Sequence, residues 1–165
     1  MTAIINDEAS RVRTQVQSQP GRALTFDGVN DYVLFGSAVI PNTADFSICF
    51  WMNSSGSVSG CVISQYVGGD AERWGINANL SGNISWFSGG SFSALTTSGT
   101  TNSWQHVVVQ RSGTAVTVYI NGCLDLSITN GNGIKNTPTV LGSFGFPAST
   151  PYGGKLHDFR IYDRI

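Results

Sequence analysis

Few residues in this chain have the type and spacing to do chemistry. Hydrolysis of a glycosidic bond needs two carboxyls roughly 5–10 Å apart across the scissile bond. Beyond residue 21, Glu72 is the only glutamate. Asp70-Ala71-Glu72 sets two carboxylates two positions apart beside Gly68-Gly69, in what reads as an exposed acidic turn. The histidines, His106 and His157, lie inside strand-like runs, away from any nucleophile-elbow pattern. No glycine-rich loop follows a strand and opens a helix, so a phosphate cradle is not expected either. These readings predict a protein that is not an enzyme.

Calcium takes roughly six to eight oxygen ligands, usually with two or more carboxylates. Asp27, Asn30 and Asp31 cluster in one turn, and Asp158 or Asp163 could approach from the closing strand. Turn formation alone accounts for Asp27-Gly28, so calcium is a weak candidate and no other cofactor is suggested. Cys49, Cys61 and Cys123 each sit in or beside a strand-like run and lack CxxC spacing. Free core thiols are the simplest reading, with a Cys49–Cys61 bridge as the alternative.

A sugar lies flat on exposed aromatic rings and hydrogen-bonds to amides, carboxylates and backbone. Phe144, Phe146 and Tyr152 fall in GSFGFPASTPYGG, residues 142–154, a loop with four glycines. Such a loop runs over the surface and either folds its rings down as a lid or presents them to a ligand. Trp74 and Trp86 sit in strands, where core burial competes with ligand stacking. Arg73 is a natural polar partner beside Trp74.

The elements that must position these groups are strands. Val116, Val118 and Ile120 alternate with Thr117 and Tyr119; Asn121-Gly122 then turns the chain into a further alternation of Leu124, Leu126 and Ile128. With Trp104–Arg111 before the turn at Ser112-Gly113-Thr114, this makes a three-strand meander that needs a second sheet over its apolar face. Trp104, His106 and Val108 share one side of the first strand, read as the core side, with a buried imidazole at His106. Further short strands are expected at 23–26, 32–35, 46–52, 61–67, 74–80, 84–87, 92–96, 139–141 and 155–162. The 46–52 strand is apolar on both faces and should lie centrally. In the last strand, Leu156, Asp158, Arg160 and Tyr162 oppose His157, Phe159 and Ile161, and Asp158 should pair with Arg160. About twelve strands with no helix between them point to a β-sandwich or jelly roll.

Residues 1–21 form a separate arm. Asn6 can cap a helix, with Ile5, Ala9, Val12 and Val16 as a short seam, ended by Pro20-Gly21. A helix this short is marginal alone, so the arm, helical or extended, suits anchoring or oligomerisation through residues 1–20. Only 12% of residues are charged and net charge is −1, so no nucleic-acid footprint is present. No apolar run is long enough to span a membrane, and MTAIINDEAS lacks the features of a secretory signal.

Four blocks carry a family resemblance: ALTFDGVNDYV (23–33), FSICFWM (46–52), WQHVVVQRSGTAVTVYINGCLD (104–125) and GKLHDFRIYDR (154–164). In that order they resemble the laminin-G-like, concanavalin A-like lectin/glucanase domains. The resemblance implies a two-sheet antiparallel jelly roll over residues 22–165, one sheet concave, with Trp74 and Trp86 placed to line it. It also implies binding to glycan or protein surfaces, sometimes with calcium. The glucanase branch draws its carboxylates from a Glu-x-Asp-x-x-Glu strand, which this chain lacks. The expected function is therefore a non-catalytic lectin-like module. A lectin-like domain without a leader suggests display on a virion surface or another extracellular face, for example as a bacteriophage decoration protein. A purely structural capsid decoration or fibre protein is the alternative, and a polysaccharide hydrolase the weaker one.

Overall fold

The computed structural model describes residues 5–6, 13–14, 22–40, 45–66, 73–89, 91–134, 136–145 and 149–165. In the arm, β1 (Ile5–Asn6) pairs antiparallel with β2 (Arg13–Thr14). Of the two conformations open to the arm, helical or extended, Asn6 takes the extended one. The anchoring role proposed for residues 1–20 falls mostly outside the described residues.

The domain itself is two six-stranded antiparallel sheets, with no helix among the described residues. Twelve strands build them: β3 (Leu24–Asp27), β4 (Val33–Leu34), β5 (Phe46–Ser54), β6 (Gly60–Gln65), β7 (Trp74–Ala78), β8 (Ile84–Ser88), β9 (Ser91–Leu95), β10 (Gln105–Ser112), β11 (Ala115–Ile120), β12 (Cys123–Thr129), β13 (Thr139–Leu141) and β14 (Gly153–Tyr162). The first sheet has the order β12-β11-β10-β5-β14-β3 and the second β4-β13-β6-β7-β8-β9. β5 lies inside the first sheet, as its apolar sequence requires. β3 and β4, close in sequence, join different sheets, so the turn between them carries the chain across the sandwich.

The meander forms as its pattern dictates. Val116, Val118 and Ile120 are buried, and Asn121 and Gly122 both adopt positive φ, 52° and 83°, at the hairpin turn. The side facing the core is the opposite of the expected one. Val107 and Val109 are fully buried, whereas Trp104 is 44% exposed and His106 half-buried on the outer face. There the His106 ring packs 5.1 Å from Trp51, itself exposed. His157 occupies the same row on β14, its Nδ1 3.2 Å from the Arg22 carbonyl.

A second correction concerns β14. Leu156, Phe159 and Ile161 are all buried, although strict alternation would set Leu156 against the other two. Asp158 takes φ of 50°, and the register against β5 shifts between His157 and Arg160. This bulge inserts one residue and restores the apolar phase. It also leaves Asp158 free to accept from Arg160 Nε at 2.7 Å, the expected ion pair. All three cysteines are free, so the alternative Cys49–Cys61 bridge is not formed; Cys49 lies on β5 of the first sheet and Cys61 on β6 of the second.

Candidate functional site

On β7 and β8 the alternation is unambiguous once packing is seen. Trp74, Ile76, Ile84 and Trp86 point into the sandwich. The two indoles stack at 5.2 Å, with Phe46 5.7 Å from Trp74 and 6.2 Å from Trp86. Gly75, Asn77, Ser85 and Phe87 must then face outward. Register places Gly75 opposite Phe87 and sets Asn77, Ser85 and Leu95 in one row.

The segment after β13 walls this outer face. Gly142 donates to the Val62 carbonyl at 2.8 Å, and Tyr152 donates back to Gly142 at 2.9 Å. Ser64 Oγ donates to the Ser143 carbonyl at 3.1 Å and accepts from the Gly145 amide at 2.9 Å. Phe144 is thereby held against Tyr66, stacked at 4.7 Å, and meets Phe87 edge-on at 5.1 Å. The result is a groove of about 670 Å³ lined chiefly by Arg73, Asn77, Ser85, Phe87, Leu95 and Phe144. That volume lies in the range of small-ligand pockets. Gly75 keeps it open: a Cβ there would stand 3.1 Å from Cys61 Sγ and 3.4 Å from the Phe144 ring.

The polar side chains of the groove include the Arg73 guanidinium, a pure donor, and Asn77 and Ser85, which both donate and accept. The Arg73 guanidinium lies 5.1 Å from the Tyr66 ring centre and 5.2 Å from that of Phe87. Arg73 Nε and Asn77 Nδ2 are buried without a hydrogen-bond partner. None of the described lining residues is a carboxylate. The Asp70 and Glu72 pair lies outside the described residues.

Of the residues singled out from sequence, Arg73 and Phe144 reach the groove. Trp74, Trp86 and Tyr152 do not: all are buried in the core at 0–1% exposure, because strand phase turns the indoles inward and Tyr152 pins its loop from beneath. Phe146 lies outside the described residues. Asn77, Ser85, Phe87 and Leu95 went unnoticed, though the inward phase of Trp74 and Trp86 implies the outward phase of Asn77, Ser85 and Phe87.

The calcium candidates are occupied with their own turn. Asp27 Oδ1 accepts from the amides of Val29 at 2.7 Å and Asn30 at 3.2 Å, while Asp31 Oδ2 accepts from the Asp27 amide at 2.9 Å. The amide of Val29, then that of Asn30, holds the Asp27 carboxyl below its ordinary range. Turn bonding thus accounts for this cluster, and no metal-ready group of three His, Cys, Asp or Glu occurs among the described residues.

Beneath the groove floor, Cys61 Sγ donates towards the carbonyls of Ile63 at 3.1 Å and Ile76 at 3.4 Å, and burial pushes its thiol up. Titration with a soluble aromatic disulfide should modify exposed Cys123 promptly and Cys61 only after denaturation. Equal rates would show the floor to be open.

The fold and groove can be set beside known proteins. A family model described as the concanavalin A-like lectin/glucanases superfamily matches residues 27–165. The chain belongs to this superfamily. Among curated proteins, no sequence match is found. Solved structures of similar shape include domain 4 of an extracellular arabinanase from Geobacillus stearothermophilus, in complex with arabinotriose. Its TM-score is 0.68 at 19% identity, covering 92% of this chain and 75% of that one. A sialidase carbohydrate-binding module from Ruminococcus gnavus, bound to α2,3 sialyllactose, gives 0.62 at 8% identity, covering 82% and 90%. Domains LG4-5 of the mouse laminin α1 chain give 0.61 at 12%, covering 84% and 40%. Identities this low speak for the shared lectin-like sandwich alone.

Proposed function

We propose that this superfamily member is a non-catalytic carbohydrate-binding module whose site is the groove on the outer face of the second sheet. One observation carries the reading: Phe144 and Phe87 meet edge-on beside the unpartnered amide of Asn77 within one groove. Rings give a sugar apolar area with defined geometry, and an unpaired amide donor gains a partner when a hydroxyl arrives. Solved structures of the same fold with arabinotriose and sialyllactose support the reading.

Glycan-array screening followed by calorimetry tests it. Phe144→Ala and Asn77→Ala should each weaken the best ligand about 10- to 100-fold, equivalent to about 1–3 kcal/mol. Thr117→Ala, on the first sheet, should leave affinity unchanged. Equal affinity for wild type, Phe144→Ala and Asn77→Ala would remove the groove from consideration.

A further inference from the structure

We infer that the ligand of this groove is an acidic glycan, whose carboxylate is received by Arg73. The inference rests on the groove's being a glycan site and goes further by naming the chemical class. Arg73 is the sole ionisable group among the described lining residues. Its side chain makes no ion pair and no hydrogen bond to a described residue, and its Nε is buried. By contrast, Arg160 donates to Asp158 and Arg111 to the carbonyls of Gly113 and Asn132, while Arg164 lies over the Tyr162 ring outside the groove. An unpaired guanidinium partly removed from water costs free energy unless a ligand compensates it.

The surroundings of Arg73 prepare it for an anion. The ring centres of Tyr66 and Phe87 lie 5.1 and 5.2 Å from the guanidinium carbon, and Tyr66 is itself stacked on Phe144. A guanidinium packed against rings, with no ion pair of its own, keeps its donor fork for a bidentate carboxylate. Asn77 Nδ2 adds a second unpartnered donor on the same groove. With no carboxylate among the described lining residues, these two donors favour an acceptor-rich, negatively charged sugar. Phe144 and Phe87 would then carry its apolar face.

The test pairs each acid with its neutral twin. Affinities of the full chain are measured for polygalacturonate, alginate and sialyllactose, for the methyl ester of each, and for neutral arabinan and xylan. The acid form of at least one should bind ten-fold or more tightly than its ester, and that preference should shrink as salt rises. Arg73→Gln should abolish the preference for acid over ester, bringing their affinity ratio to about one; Arg73→Lys should restore that ratio only in part. Acid and ester binding alike, or a preference confined to neutral arabinan and xylan, would overturn the inference while leaving the glycan site intact. Binding to none of these glycans, acid, ester or neutral, would overturn both. The wild-type comparison stands even if a variant misfolds.

Discussion

Replacing Trp74 by alanine should cost about 3–5 kcal/mol of stability, read as a shift in the urea midpoint at unchanged slope. Trp74 is fully buried, stacked on Trp86 and packed against Phe46 of the facing sheet, so it bridges the two layers. Truncation would leave a void lined by two rings that a close-packed sandwich cannot collapse to fill. For a domain whose whole margin is about 5–15 kcal/mol, this approaches a third or more of the total. The indole nitrogen has no partner, which lowers the gain from its burial without altering the sign. Trp51→Ala supplies the contrast. That side chain is 39% exposed on the outer face, and its loss should cost under about 1 kcal/mol. Comparable costs for the two variants would show that the assignment of faces is wrong.

The strands were legible wherever apolar and polar residues alternate. β11 shows this best, because Val116, Val118 and Ile120 fix its phase without help. β10 hides its phase. Val107-Val108-Val109 is apolar throughout, so nothing local decides which valine faces the core. Pairing decides it: Val107 and Val109 stand opposite Ile120 and Val118, whose burial is settled. Trp104, just before the strand, keeps the outward phase of His106 and packs against His157. The bulge at Asp158 lay beyond reach for a related reason, since a single left-handed residue leaves no periodic trace. The groove was half-legible. Arg73 and Phe144 could be named from type and setting, but Phe144 joins Phe87 only through contacts some 60 residues apart in sequence. Tyr152 misled because its loop is rich in glycine and proline, while its ring plugs the core, 6.0 Å from Phe26.

Gly60→Ala should damage stability and binding together, and the reason is a contact between backbones. A Cβ at Gly60 would fall 2.2 Å from the Pro151 carbonyl oxygen and 2.6 Å from Tyr152 Cα. Neither atom can escape by changing rotamer. The two segments are also tied, with the Cys61 amide donating to the Thr150 carbonyl at 3.0 Å and Cys61 bridged to Pro151 in parallel. To admit one methyl group, the Thr150–Tyr152 stretch of the wall must lift from β6, drawing Tyr152 from the core. We expect a loss of about 3 kcal/mol, towards the upper end of overpacking costs. The same wall carries Phe144 and Thr150, both lining the groove, so affinity should fall about ten-fold in the fraction that remains folded. Gly36→Ala is the matched control, because a Cβ there meets nothing within 4 Å and should change stability by less than about 0.5 kcal/mol. If Gly60→Ala melts with Gly36→Ala and binds like wild type, the wall does not rest on β6, and the groove loses the contact that shapes it.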